Sequence, residues 1–380
     1  MATVELQLSP QMIDWVADQG GYTPSALAEE LMPKKKEMFL RGHVTKTVAE
    51  KLARIGQIPF GYLFLDTPPK NTPPTIPDLR QTINPIPLSK DFIDTYNDIK
   101  YKIDWYKEYL DDFGIQFNID FIGRFSINDD FRLVAQDISQ TIELDIKKIL
   151  NKITKDSYFS FACNLIEKKG ILVFKNGIVK SNTKRTIDPN EFRGFCLIDE
   201  MVPCVFVNGT DSYSAQVFTL FHEVAHIWVG KAGVSNWQFD NKIESFCNKV
   251  AAEVLMPHDL FKKKWDQETE FTDELLVAAI NVASFFKVSL YATAIKAKSL
   301  NLINDIDFVT LRNYVLNVPK KESSGANPYA TYPYRNSPKL TDAILSSTMN
   351  QQLPLREAAN LLNIKTGTVI ELYKQRTSKK

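Results

Sequence analysis

Cysteine is scarce in this 380-residue chain: Cys163, Cys196, Cys204 and Cys247 are scattered, and no two form a CxxC pair. That pattern argues against a thiolate zinc site and against a disulfide framework, and a reducing cytoplasm is the simplest compartment for it. Long apolar runs are missing as well. None approaches the roughly 20 residues that span a bilayer, so no membrane partner is expected. The N-terminus, MATVELQLSPQMIDW, lacks a basic stretch followed by an apolar core, so no secretory signal is read there. Net charge is only +1, which removes any whole-molecule bias towards nucleic acid. What remains is local: Lys34-Lys35-Lys36 with Arg41, and the terminal Lys374, Arg376, Lys379 and Lys380, short runs of a kind that are more often simply solvated. Histidine is rare too, at four residues.

Against these absences stands an ordinary globular composition, 44% hydrophobic and 24% charged, in a chain long enough for two or three cores. Residues 8–65 read as a compact helical unit, with Thr23 and Pro24 opening one helix and Val48, Leu52 and Ile55 on one face of another. A segment with seven prolines between Pro68 and Pro87 follows and reads as an extended linker. Helices resume to about residue 160. The pattern then changes: GILVFKNGIVKSN has Asn176-Gly177 between two β-rich runs, a hairpin signal, and FRGFCLIDEMVPCVFVNG supplies two more short strands. Pro203 suits an edge strand, and an exposed edge can hold an extended peptide by main-chain pairing. Helices are expected again over 241–256, 273–286, 289–300 and 339–376.

The chemistry concentrates in FTLFHEVAHIWVG, residues 218–230, flanked by the plausible N-caps Asp211 and Ser212 and by Gly230 as a stop. Positions four apart share a helix face, so His222 and His226 offer their imidazoles to one point. Zn²⁺ accepts such nitrogens, and Glu223 is placed to take a proton from a water at the metal, the division of labour of an H-E-x-x-H site. The plain alternative is a buried helix with hydrogen-bonded histidines. Phe218, Leu220, Phe221, Val224, Ile227 and Trp228 make the helix apolar on nearly every side, and polar groups there need a partner. The helix IESFCNKVAAEVLMP supplies the third ligand, Glu244, with Glu253 as the alternative and Asn248 one turn on, suited to orienting Glu244. Two imidazoles and a carboxylate suit zinc better than manganese. For the oxyanion, the tyrosines and Arg193 are candidates.

The combination EFRGFCLID (191–199), CVFVN (204–208), FTLFHEVAHIWVG (218–230) and IESFCNKVAAEVLMP (243–257) resembles the ImmA/IrrE-type metallopeptidases, in the longer form with an N-terminal Xre-like helix-turn-helix. IPFGYLFLDTPP (58–69) resembles the joint between that regulator-like part and its linker. The resemblance implies a gluzincin-like zinc peptidase with His222, His226 and Glu244 as ligands and Glu223 as base. It also implies a narrow protein substrate, a transcriptional repressor or a toxin-antitoxin partner, in a stress, prophage or mobile-element circuit. Where the family usually has alanine, this chain has Cys247, which reads either as harmless packing or as a source of oxidation sensitivity. DNA binding is implied through the N-terminal part, yet PKKKEMFLRGHVTK, with Pro33 and Gly42, leaves little room for a recognition helix. A rival reading is a DNA-binding regulator or antitoxin whose metal site is structural or vestigial.

Two later segments, 280–303 and 355–373, also carry helix-turn-helix spacing, which compact helical packing produces equally well. The expected fold is α+β: mostly helical, with a small antiparallel sheet packed on the histidine helix and helical domains on either side. The expected divisions are a degenerate Xre-like domain 1–66, a linker 67–90, a metallopeptidase domain 91–260, a helical domain 261–320, a linker 321–338 and a small helical domain 339–380.

Overall fold

A computed structural model describes residues 5–19, 22–56, 58, 60–68, 88–231, 234–235, 242–317 and 328–377. Most of the proline-rich linker, 69–87, and the stretch 318–327 lie outside the described residues. The chain divides into two compact units, 1–73 and 74–380.

In the first unit, β1 (Glu5–Gln7) leads into α1 (Pro10–Gln19), α2 (Pro24–Leu31), α3 (Lys36–Leu40), β2 (His43–Thr45), α4 (Lys46–Ile55) and a 3-10 turn at Phe60–Phe64. Thr23 caps α2 by accepting from Ala26 N, with Pro24 at the first helical position. Thr45 does the same for α4 through Val48 N. Where a recognition helix was sought, α3 has only five residues and gives way to β2, which pairs antiparallel with β1. Gly42 makes that switch, at φ +92°, with Leu8 O only 2.0 Å from where a Cβ would stand. Its core holds Leu8, Ile13, Val16, Leu27, Phe39, Val44, Leu52 and Leu63.

The second unit begins with α5 (Lys90–Asp112), α6 (Phe131–Thr141), α7 (Ile146–Ile149) and α8 (Tyr158–Lys168). The strands β3 (Leu172–Asn176), β4 (Gly194–Leu197) and β5 (Cys204–Asn208) follow, then α9 (Tyr213–Val229), β6 (Val234–Ser235) and α10 (Lys242–Leu255). Seven helices and a short one complete it: α11 (His258–Phe271), α12 (Leu275–Phe286), α13 (Leu290–Ser299), α14 (Asp305–Asn317), α15 (Pro328–Arg335), α16 (Pro338–Met349), α17 (Leu355–Leu361) and α18 (Thr366–Thr377). The α+β class is therefore as expected, mostly helical with a small sheet. No single helix among the described residues is long and apolar enough to cross a membrane.

The sheet order is β3-β5-β4-β6. β4 pairs antiparallel with β5 and β6, whereas β3 pairs with β5 in parallel, so the sheet is mixed. Two local expectations change with it. Asn176-Gly177 closes no hairpin: the Asn176 amide donates to Lys180 O while its Oδ1 accepts from Ile178 N, and the second run makes a single bridge, Ile178 with Thr186. β5 is central, not an edge. Pro203 sits just before it, where its missing N–H breaks no ladder and its carbonyl accepts from Leu172 N. All five β5 residues are buried because both faces are covered. Val173, Cys196, Val205 and Val207 face a core shared with α8, α9 and α10. Leu172, Phe174, Phe195, Cys204 and Phe206 face a second core with α5 and α16–α18. The 339–380 segment thus shares a core with α5 and the sheet. α15 forms within the stretch read as a linker, because Tyr332 and Tyr334 pack against these two cores.

Candidate metal centre

Ser212 starts α9 by accepting from Ala215 N, and Gly230 ends it in the left-handed conformation, at φ +69°. A Cβ at Gly230 would lie 2.9 Å from Gly123 Cα, and Gly123 N donates to Ile227 O. The end of α9 is thereby tied to the loop before α6. Trp228 adds a second tie: its Nε1 donates to Asp137 Oδ2 at 2.7 Å, and Arg124 holds the same carboxylate. Asp211, the other cap candidate, accepts instead from Arg193 Nη1 at 3.0 Å. Arg193 thereby ties β4 to the approach to α9.

Because α9 is wedged between the sheet and α6, α8 and α10, fourteen of its residues are buried, among them His222, Glu223 and His226. α10 brings Glu244 to them. His222 Nε2 lies 3.0 Å from Glu244 Oε2, His226 Nε2 lies 3.2 Å from Glu244 Oε1, and the two Nε2 atoms are 3.1 Å apart. Among the described residues these three form the one His/Cys/Asp/Glu group close enough to share an ion. A tetrahedral zinc with arms of about 2.0–2.1 Å has ligand–ligand edges of roughly 3.3 Å, close to the observed triangle. The donor set fits the ion.

The surroundings favour positive charge at that point. Burial works against the Glu244 carboxylate, yet the two rings hold it down at about 2. Burial lowers His222 below the ordinary histidine value. It also opposes charge on His226, but Cys247, Glu244 and Glu223 outweigh it and push that ring well above the ordinary value. His226 Nδ1–H donates to Lys231 O at 2.9 Å, which leaves Nε2 as the nitrogen that faces Glu244 and His222. Asn248, expected to orient Glu244, lies near enough to His222 to favour its charged form. Cys247 is fully buried against His226, and burial raises its thiol above the ordinary value.

Glu253, the alternative ligand, is spoken for: it pairs with Lys296 and accepts from His258 N at 2.8 Å, closing the start of α11. The other histidines stand in β2 and at the start of α11 and do not join the cluster. One residue at the site went unnoticed in the sequence. A Cβ on Gly194 would stand 2.6 Å from Thr219 Cγ2, 2.8 Å from Phe206 O and 2.9 Å from Glu223 Oε1. Glycine in β4 is what lets the Glu223 carboxylate lie against the sheet, and a glycine interrupting a strand pattern is the signal that marks such an approach. On its outer side, β4 is paired with β6 at Gly194–Ser235 and Phe195–Val234.

No curated protein and no solved structure matches the chain. Residues 336–375 match the family model of a domain of unknown function. Residues 166–298, the stretch that carries His222, Glu223, His226 and Glu244, match the family model Peptidase M78, described as the IrrE N-terminal-like domain, and are similar to a metallopeptidase-type family.

Proposed function

We propose that the chain is a zinc-dependent, site-specific endopeptidase that cuts a regulatory protein in the cytoplasm, either a transcriptional repressor or a toxin-antitoxin partner, within a stress, prophage or mobile-element circuit. The observation that carries this reading is the buried His222–His226–Glu244 triangle with Glu223 on the same helix. His222, His226 and Glu244 would hold the ion. When bound, Zn²⁺ acts as a Lewis acid on the scissile carbonyl and acidifies water. Glu223 takes the proton of the attacking water and passes it to the leaving amine. Lys231 O orients the His226 ring from behind by accepting from its Nδ1–H, as second partners of imidazole ligands do. Gly194 leaves the room Glu223 needs.

The test is Glu223→Gln, which keeps both the ligands and the shape. The purified variant is expected to retain one zinc per chain. New protein N-termini, compared between cells expressing the parent and the variant, should include one or a few cuts that vanish in the variant. Identical cuts in both would refute the mechanism. Full biological function in the variant would favour the rival, a DNA-binding regulator or antitoxin with a structural or vestigial metal site.

A further inference from the structure

We propose that α17 and α18 form a helix-turn-helix that reads duplex DNA, with α18 as the helix that enters the major groove. The inference is independent of the peptidase reading and concerns the segment for which the comparisons give no function.

The two helices are joined by a short turn, 362–365, in which Asn363 takes the left-handed conformation at φ +53°. A tight turn of this kind is what sets two helices across one another. Ala358, Ala359, Leu361 and Leu362 on one side meet Val369 and Leu372 on the other, all buried, and the small alanines allow the crossing helix a close approach. The turn is held from behind. Asn363 Nδ2 donates to Asp98 Oδ1 at 2.8 Å, Asp98 is paired with Lys102 of α5, and Asn336 Nδ2 donates to Leu362 O at 3.0 Å. The turn that leads into α18 is thereby anchored to α5 and to the end of α15.

Its outward side suits a polyanion. Thr366, Gly367, Ile370, Lys374 and Thr377 are exposed, and at 100° per residue they lie in one stripe about 100° wide. Nothing stands within 4 Å of a Cβ built on Gly367, so the first turn of α18 projects clear of the rest of the unit. A helix about 10–12 Å across fits the roughly 12 Å major groove. Exposed Lys365 precedes the stripe, exposed Arg356 lies on α17, and the sequence continues to Lys379 and Lys380. Glu371 is half-buried and accepts from Gln375, and Arg376 is bound to Asp342.

The contrast with α12 and α13 is instructive. They have the same kind of turn, with Lys287 at φ +60°, and cross at 105°. Their outward stripe, however, carries Tyr291 and Ile295, and Lys296 is buried on Glu253. That stripe offers phosphates no exposed cation, whereas exposed Lys374 lies in the α18 stripe and exposed Lys365 just before it.

The test uses the full chain and a labelled random-sequence duplex of about 40 base pairs, followed by fluorescence anisotropy and by selection for preferred sequences. Binding is expected at about 50 mM salt, weakening steeply as salt rises. Lys365→Glu with Lys374→Glu, both at exposed positions, should lower affinity about tenfold or more and flatten the salt dependence. Lys34→Glu with Lys35→Glu in the first unit should change neither. Three results would overturn the proposal: no duplex bound at low salt, full binding by the Lys365/Lys374 variant, or single-stranded RNA of the same length bound as tightly.

Discussion

Replacing Gly194 by alanine tests how the sheet and the histidine helix α9 depend on each other. Two effects compete. Gly194 is not in the left-handed region, so alanine would ordinarily help by about 0.4–1 kcal/mol through a less flexible unfolded chain. Against this, the new methyl meets three atoms under 3.0 Å: Thr219 Cγ2, Phe206 O and Glu223 Oε1. Phe206 O is main chain of the central strand and has nowhere to go. Thr219 and Glu223 are buried on α9, so the helix must yield. Restoring a carbon–carbon contact of about 3.5 Å to Thr219 requires a retreat of roughly 1 Å. Forced shifts of this kind in a packed core cost about 1–3 kcal/mol, which outweighs the gain. His222 and His226 ride on the same helix, so the 3.0–3.2 Å triangle with Glu244 opens and zinc affinity falls, by about tenfold or more. Denaturant unfolding followed by tryptophan fluorescence reads the first effect, and chelator competition reads the second. A Gly194→Ala protein as stable as the parent, with unchanged zinc affinity, would refute the reasoning.

Glu253→Ala leaves the Lys296 ammonium buried without its carboxylate and should destabilise the second unit by about 3–5 kcal/mol, whereas Glu253→Leu with Lys296→Met recovers most of the loss; denaturant midpoints of the single and double variants decide. Glu167, inside the unit, accepts from Ser337 Oγ at 2.5 Å, Lys339 N at 3.0 Å and Val173 N at 3.2 Å, yet burial pushes its carboxyl up to about 7. Its folded value lies above its unfolded one, so the native state holds the proton more tightly, and stability falls as pH rises from 4.5 to about 7, by on the order of 3 kcal/mol. Glu167→Gln should flatten that fall between unfolding curves taken at low and neutral pH; an equally steep fall in the variant would sink the assignment.

The sequence by itself determined what depends on neighbours along the chain. The 3.6-residue period placed His222 and His226 on one face, and Ser212 and Gly230 bounded their helix through cap chemistry that needs only a few adjacent residues. Glu244 was legible because it opens the next helix with small residues behind it. Tertiary structure decided the rest. Asn176-Gly177 carries a turn signal, but β3 gains more from parallel pairing with the buried β5 than from a local hairpin. Pro203 suits an edge, yet it stops one residue short of a strand covered on both faces. Glu253 and Glu244 are alike in sequence; Lys296, 43 residues further on, pairs with the first, and only the second meets His222 and His226. Arg193 goes to Asp211, and Gly194 is required only because α9 lies against it. In each case the deciding partner is distant along the chain, and periodicity, propensity and capping carry no information about which distant surfaces meet.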